Sequence, residues 1–187
     1  LVSPDELNGD LLLMESRNSV RNITAHLLEK GCTLPGFMGD IGYAQSNRER
    51  YEGFCQALMD AGKTPNPSLC LTTPLGIDSY REEIDSFLSS LSRMPDAFVC
   101  ASDYVACILM QLLEKRGLRV PEDVAVSGFD NNIEDLLAEN LTTVQVFNEE
   151  LGSRLALQIL YRIKYPHTPH EVTYLESKVL YRASTGD

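Results

Sequence analysis

Two hydrophobic rhythms alternate along residues 34–129, and that alternation limits what the chain can fold into. Short apolar runs occur at Pro35–Met38, Leu69–Thr72, Ala97–Ala101 and Val124–Phe129. Between them lie longer stretches with apolar residues at i, i+3, i+4 and i+7, the spacing of an amphipathic helix. Tyr51, Phe54, Cys55, Leu58 and Met59 mark a helix from about Asn47 to Ala61, with Gly62 as its stop. Ile84, Phe87, Leu88 and Leu91 mark one over Ser79–Leu91, and Val105, Ile108, Leu109, Leu112 and Leu113 one over Asp103–Arg116. Strands that are apolar throughout and joined through helices make a parallel sheet covered on both faces. The segment therefore reads βαβαβαβ, a doubly wound α/β lobe. Leu11–Met14 and a helix over Asn18–Lys30 precede it. After Asp130 come an irregular acidic stretch to Asn140, a strand at Thr142–Phe147, a helix at Leu151–Ile163, and strand-like runs at Val172–Leu175 and Val179–Tyr181.

The 187 residues suit one domain or a small pair of lobes. The net charge of −11 disfavours direct binding to nucleic acid or an anionic membrane. No apolar run reaches the roughly 18 residues of a membrane span. The opening Leu1-Val2-Ser3-Pro4-Asp5 lacks an initiator Met and a signal-peptide core, the expectation being a piece of a longer polypeptide. Five widely spaced cysteines, Cys32, Cys55, Cys70, Cys100 and Cys107, form no CxxC pair. Four of them lie in apolar runs, the pattern of small buried hydrophobes in a reducing cytoplasm. His167 and His170 have a metal-ligand spacing, but Pro166 and Pro169 break the helix it needs, so no metal and no cofactor is expected.

In open α/β sheets, ligands bind beyond the carboxyl ends of the strands. That rule selects the loops at Gly39–Arg50, Thr72–Gly76, Ser102-Asp103 and Asp130-Asn131. Arg50, in the first turn of its helix, offers a fork of donors to a carboxylate, phosphate, carbonyl or paired hydroxyls; the alternative is a surface arginine bridging to Glu49 or Glu52. Asp130 follows its strand directly and can accept two hydrogen bonds from vicinal hydroxyls, or cap a following turn. Ser102 and Asp103 open a helix, where N-capping is the ordinary role. Tyr43 and Ser46 lie on the first of these loops. No GxSxG elbow, P-loop or dinucleotide fingerprint is present. A binding module is favoured over an α/β enzyme that would use Asp103 or Asp130 as acid and base.

Three strings give a more specific reading: Pro95-Asp96-Ala97-Phe98-Val99-Cys100-Ala101-Ser102-Asp103, then Arg116-Gly117-Leu118-Arg119-Val120-Pro121-Glu122-Asp123-Val124-Ala125-Val126-Ser127-Gly128-Phe129-Asp130, then Leu141-Thr142-Thr143-Val144. With Leu27-Leu28-Glu29-Lys30-Gly31, the Gly39 to Phe54 stretch and the tail Tyr181-Arg182-Ala183-Ser184-Thr185, they closely resemble the effector-binding domain of the lactose-repressor (LacI/GalR) family. The resemblance covers essentially the whole chain. It implies two Rossmann-like lobes around a cleft, similar to periplasmic sugar-binding proteins. Residues 1–15 and 141–164 would belong to the N-terminal lobe, and 16–140 and 165–187 to the C-terminal lobe. It implies a cytoplasmic homodimer that binds a small effector (sugar, sugar phosphate or nucleoside) and reaches operator DNA only through a domain absent from this chain. The family's effector arginine falls on Arg50 and its effector aspartate on Asp130. Ser102 stands where the family usually has Asn, Val146 where it commonly has Gln, and Glu139-Asn140 where Pro-Pro is usual. The second loop, Thr73-Pro74-Leu75, lacks the family's frequent aromatic, for which Tyr43 is a candidate substitute. A periplasmic receptor of an uptake system is the alternative of the same fold.

Overall fold

The computed structural model describes residues 9–76, 78–132 and 138–187. Its main sheet has four parallel strands in the order β3-β2-β4-β5: β2 is Pro35–Met38, β3 Cys70–Leu71, β4 Ala97–Cys100 and β5 Ala125–Ser127. The helices between them are α2 (Gln45–Asp60), α3 (Tyr80–Ser90) and α4 (Asp103–Lys115), with α1 (Arg17–Glu29) ahead of β2. This is the doubly wound α/β lobe expected from the alternation. Successive strand residues point to opposite faces, and the core divides accordingly. Phe98 and Cys100 pack with Ile84 and Leu88 of α3 and Leu109 and Leu113 of α4. Phe37, Ala97 and Val99 pack with Val20 and Ile23 of α1 and Phe54 and Leu58 of α2. A Cβ at Gly53 would lie 2.2 Å from the Arg17 carbonyl, so glycine is what lets α2 cross α1 this closely.

Of the boundaries that differ from the sequence reading, two lie beside the strand-end loops. β3 is shorter than Leu69–Thr72 because Pro67–Leu69 forms a 3-10 turn, capped by the Asn66 side chain accepting from the Ser68 amide. α2 starts at Gln45 instead of Asn47, which moves Ser46 from a loop into the helix's first turn.

Past β5 the sheet continues. Parallel bridges join Ser127 to Thr142 and Asp130 to Gln145. β6 (Thr143–Gln145) then pairs antiparallel with β8 (Lys178–Leu180). Leu141 and Val144 are buried against the main core. A separate two-stranded sheet pairs β1 (Leu11–Met14) with β7 (Val172–Leu175), in parallel. The helix α5 (Asn148–Lys164) packs beside it. Arg162 of α5 ties this unit together through both carboxylate oxygens of Asp10. The apolar side expected for this helix is there, but no residue of α5 is buried; Ile163 is 72% exposed, and Leu155, Ile159 and Leu160 are about half exposed or more.

Candidate functional site

The carboxyl ends of β2, β4 and β5 converge on one charged pair. Arg50 comes from the first turns of α2 and is only 8% exposed. Its guanidinium lies 3.5 Å from the centre of the Phe129 ring, an arrangement in which the ring's negative face attracts the cation. One terminal nitrogen donates to the Ala101 carbonyl at the end of β4, and the other reaches Asp130 Oδ1 at 3.4 Å. Nε is buried with no hydrogen-bond partner among the described residues. Gly39 makes room for this anchor: a Cβ there would lie 2.2 Å from the Ala101 Cβ.

The pair is poorly compensated. Burial pushes the arginine's pKa down against the pull of Asp130 and Asp103. Burial also raises the Asp130 pKa, more than the neighbouring Arg50 lowers it. Two charges taken from water with one long contact between them leave donors and acceptors that a ligand's hydroxyls can satisfy. Asp130 also adopts a φ of 111° and Asn131 a φ of 49°. Non-glycine residues enter that region at a cost, and such strain clusters at ligand sites.

The other candidates divide. Ser46 lies one turn before Arg50 on α2 and is half-buried. Ser102 caps α4, its Oγ accepting from the Val105 amide at 3.3 Å. Asp103 is only 2% exposed and faces inward, with Oδ1 accepting from the Thr143 hydroxyl at 2.6 Å. Burial pushes its pKa up to about 6, against hydrogen bonds from Thr143 and the Asn131 and Asn132 amides. Tyr43 is 61% exposed; its amide donates to the carboxylate of Asp40.

Sequence reasoning missed several neighbours. Phe129 beneath the guanidinium looked like another buried strand residue. Tyr80 and Tyr104 meet edge to face, 5.6 Å between centroids, at the same end of the sheet as Asp40 and Tyr43. The Asn131 side chain is held from two sides, donating to Gln145 and accepting from Arg182 at 2.8 Å. Gln145 precedes Val146, the position where the resemblance led us to look for a glutamine; no periodicity signals its role.

Among the described residues no group of three or more histidines, cysteines and carboxylates could hold a metal ion, and no helix is long and apolar enough to cross a membrane. Residues 24–185 match the profile of the periplasmic binding protein-like domain. The chain belongs to that family. This periplasmic-binding-protein-like domain is 28% identical over 183 residues to the transcriptional repressor PurR of Aliivibrio salmonicida, covering 97% of this chain and 54% of the relative. It is 28% identical over 180 residues to the ribose operon repressor of Haemophilus influenzae, covering 96% and 54%. The domain thus spans about half the length of these curated relatives. Among solved structures, a transcriptional regulator CelR in complex with cellobiose superposes with a TM-score of 0.83 at 26% identity, over 96% of this chain and 55% of that one. A LacI-type transcription regulator from Bifidobacterium animalis subsp. lactis superposes with a TM-score of 0.80 at 26% identity, over 94% and 67%.

Proposed function

We propose that this chain is the greater part of the effector-sensing domain of a cytoplasmic transcription regulator. A small polar ligand, a sugar or a similar polyol, binds through Arg50 and Asp130. The buried, incompletely satisfied Arg50–Asp130 pair at the sheet edge carries this reading. An arginine fork and a carboxylate supply donors and acceptors to adjacent hydroxyls. Relatives that are repressors, and a cellobiose complex of similar fold, support the ligand class and the regulatory role. Asp130 binds rather than catalyses, since Asp103, its candidate acid–base partner, is turned inward and occupied.

The lobes divide, in our reading, at Gln145–Phe147 and near Glu176. Residues 10–14 and 148–175 form a fragment of the second lobe, because β1, α5 and β7 pack on one another. Residues 141–147 stay with the main sheet. The apolar face of α5 then meets parts of the second lobe that the relatives carry and this chain does not span. Effector bound between the lobes favours one inter-lobe geometry through its differential affinity, and in a dimer that geometry sets the spacing of DNA-binding heads. DNA contact belongs to a separate domain, consistent with the charge of −11.

The test is native mass spectrometry of the full-length regulator against sugars, sugar phosphates and nucleosides, repeated with Arg50→Ala. Loss of the bound ligand in the variant is expected. Unchanged affinity and unchanged induction overturn the assignment. A gene product that proves to be exported to the periplasm would favour the uptake-receptor reading instead.

A further inference from the structure

We propose that Asp103 is a positioning residue for the ligand loop: its carboxylate clasps residues 128–132 against β6 and so holds Asp130 in its binding posture. This rests on Arg50–Asp130 being the effector site.

Asp103 opens α4, yet it is not needed as that helix's cap, because Ser102 Oγ already takes the Val105 amide. Its bonds run outward from the helix instead. Its amide donates to the Phe129 carbonyl at 2.8 Å, fixing the residue just before Asp130. Its carboxylate accepts from the Thr143 hydroxyl at 2.6 Å and from the amides of Asn131 and Asn132, the two residues just after Asp130. The loop comes this close because residue 128 is glycine: a Cβ there would lie 2.3 Å from Asp103 Oδ1. Asp130 is therefore gripped from both sides, which explains how the backbone sustains a φ of 111° at Asp130 and 49° at Asn131. The same carboxylate reaches β6 through Thr143, three residues before the segment that leads into α5. One buried group thus joins the ligand loop to the crossing between the two lobes.

The clasp depends on charge. A carboxylate accepts amide hydrogens more strongly ionised than protonated. The groups that face it are Asp130 from the loop, Arg50 from α2 and the Cys100 thiol from β4. Burial, with help from Asp130, brings protonation up to about 6. Because burial is the larger effect, the closed loop holds this proton more readily than an opened one, so acidification through that range does not loosen the clasp; the test is a substitution at neutral pH, where the carboxylate is ionised.

The experiment reads amide hydrogen exchange at Asn131 and Asn132 in the ligand-free protein at about pH 7.5, corrected for intrinsic exchange. In Asp103→Asn, protection at both amides is expected to fall by about tenfold or more relative to the wild type. Amides in β4 should remain protected in the variant. Protection equal in the variant and the wild type overturns the proposal. Since no ligand is present, that failure is separate from failure of the effector assignment, which Arg50→Ala reports.

Discussion

Asp130→Asn should make the free protein more stable and the ligand much weaker. Asp130 carries a charge in a place that disfavours it: its side chain is 30% exposed, its one ion-pair contact is long at 3.4 Å, and burial outweighs Arg50 in raising its pKa. Asparagine removes that charge at nearly constant volume. It also tolerates positive φ about as well as aspartate, so the 111° backbone angle adds little new strain. Relief of an unfavourable functional charge is typically worth about 1 kcal/mol. For a chain of this size that is a rise in Tm of about 2–4 °C. Binding moves the other way. Two hydroxyls donating to a carboxylate contribute about 1.5–3 kcal/mol each, and asparagine keeps one acceptor oxygen. A loss of about 2–4 kcal/mol, or roughly 30- to 1000-fold in Kd, follows. Thermal denaturation of the free variant and calorimetric titration of the full-length regulator with its sugar read the two effects. The reasoning is refuted if Asp130→Asn lowers Tm by several degrees, or if it binds within about threefold of the wild type.

Other substitutions test neighbouring parts of the account. Gly39→Ala forces a methyl into the Ala101 Cβ at 2.2 Å, so it should destabilise the fold by about 1–3 kcal/mol in urea titration and weaken binding by displacing the carbonyl that holds Arg50. Ser102→Ala removes the cap of α4 and should cost about 1 kcal/mol by the same assay. Asp103 gives a pH signature. Its protonation lies near 6 in the fold against 3.8 in the unfolded chain, so the folded state binds the extra proton in that window and stability falls as pH rises from about 4 to about 6. The contribution is at most about 3 kcal/mol, and Asp103→Asn should abolish it. Asp187, held down to about 2 by Lys30, Thr185 and His26, acts in the opposite sense and only below pH 4. Finally, the bare apolar face of α5 should make this chain self-associate in sedimentation, and Leu160→Glu with Ile163→Glu should reduce that association without lowering the stability of the main sheet.

Much of the fold was legible because a doubly wound lobe writes itself in local rhythm. Pro35–Met38 and Leu11–Met14 fall where the apolar runs end, and Gly62 and Gly117 follow the helices they stop. Strand partners were not legible, since an apolar run announces burial but not its neighbour. Nothing in Val172–Leu175 says that it pairs with β1, or in Lys178–Leu180 that it runs antiparallel to β6. The apolar stripe of α5 has the same limit: it shows that a face needs cover, not what supplies it. For the proposed site, the strand-end rule selected Arg50 and Asp130 because both follow directly from topology, and the structure brings the two side chains together. It could not separate Asp103 from them. All three stand at strand ends, and only the backbone path shows that Asp103 turns beneath the loop toward Thr143. The Phe129 ring was hidden for a similar reason, as a core residue in sequence and a platform for the guanidinium in space.

The central claim is that the effector sits on the Arg50–Asp130 pair. Its most direct test is a structure of the full-length regulator with the sugar identified by mass spectrometry. The account predicts ligand hydroxyls within hydrogen-bond distance of the Arg50 guanidinium and of both Asp130 oxygens, with Asp103 still bonded to Thr143 and making no ligand contact. A ligand bound elsewhere, with Arg50 and Asp130 untouched, would contradict it.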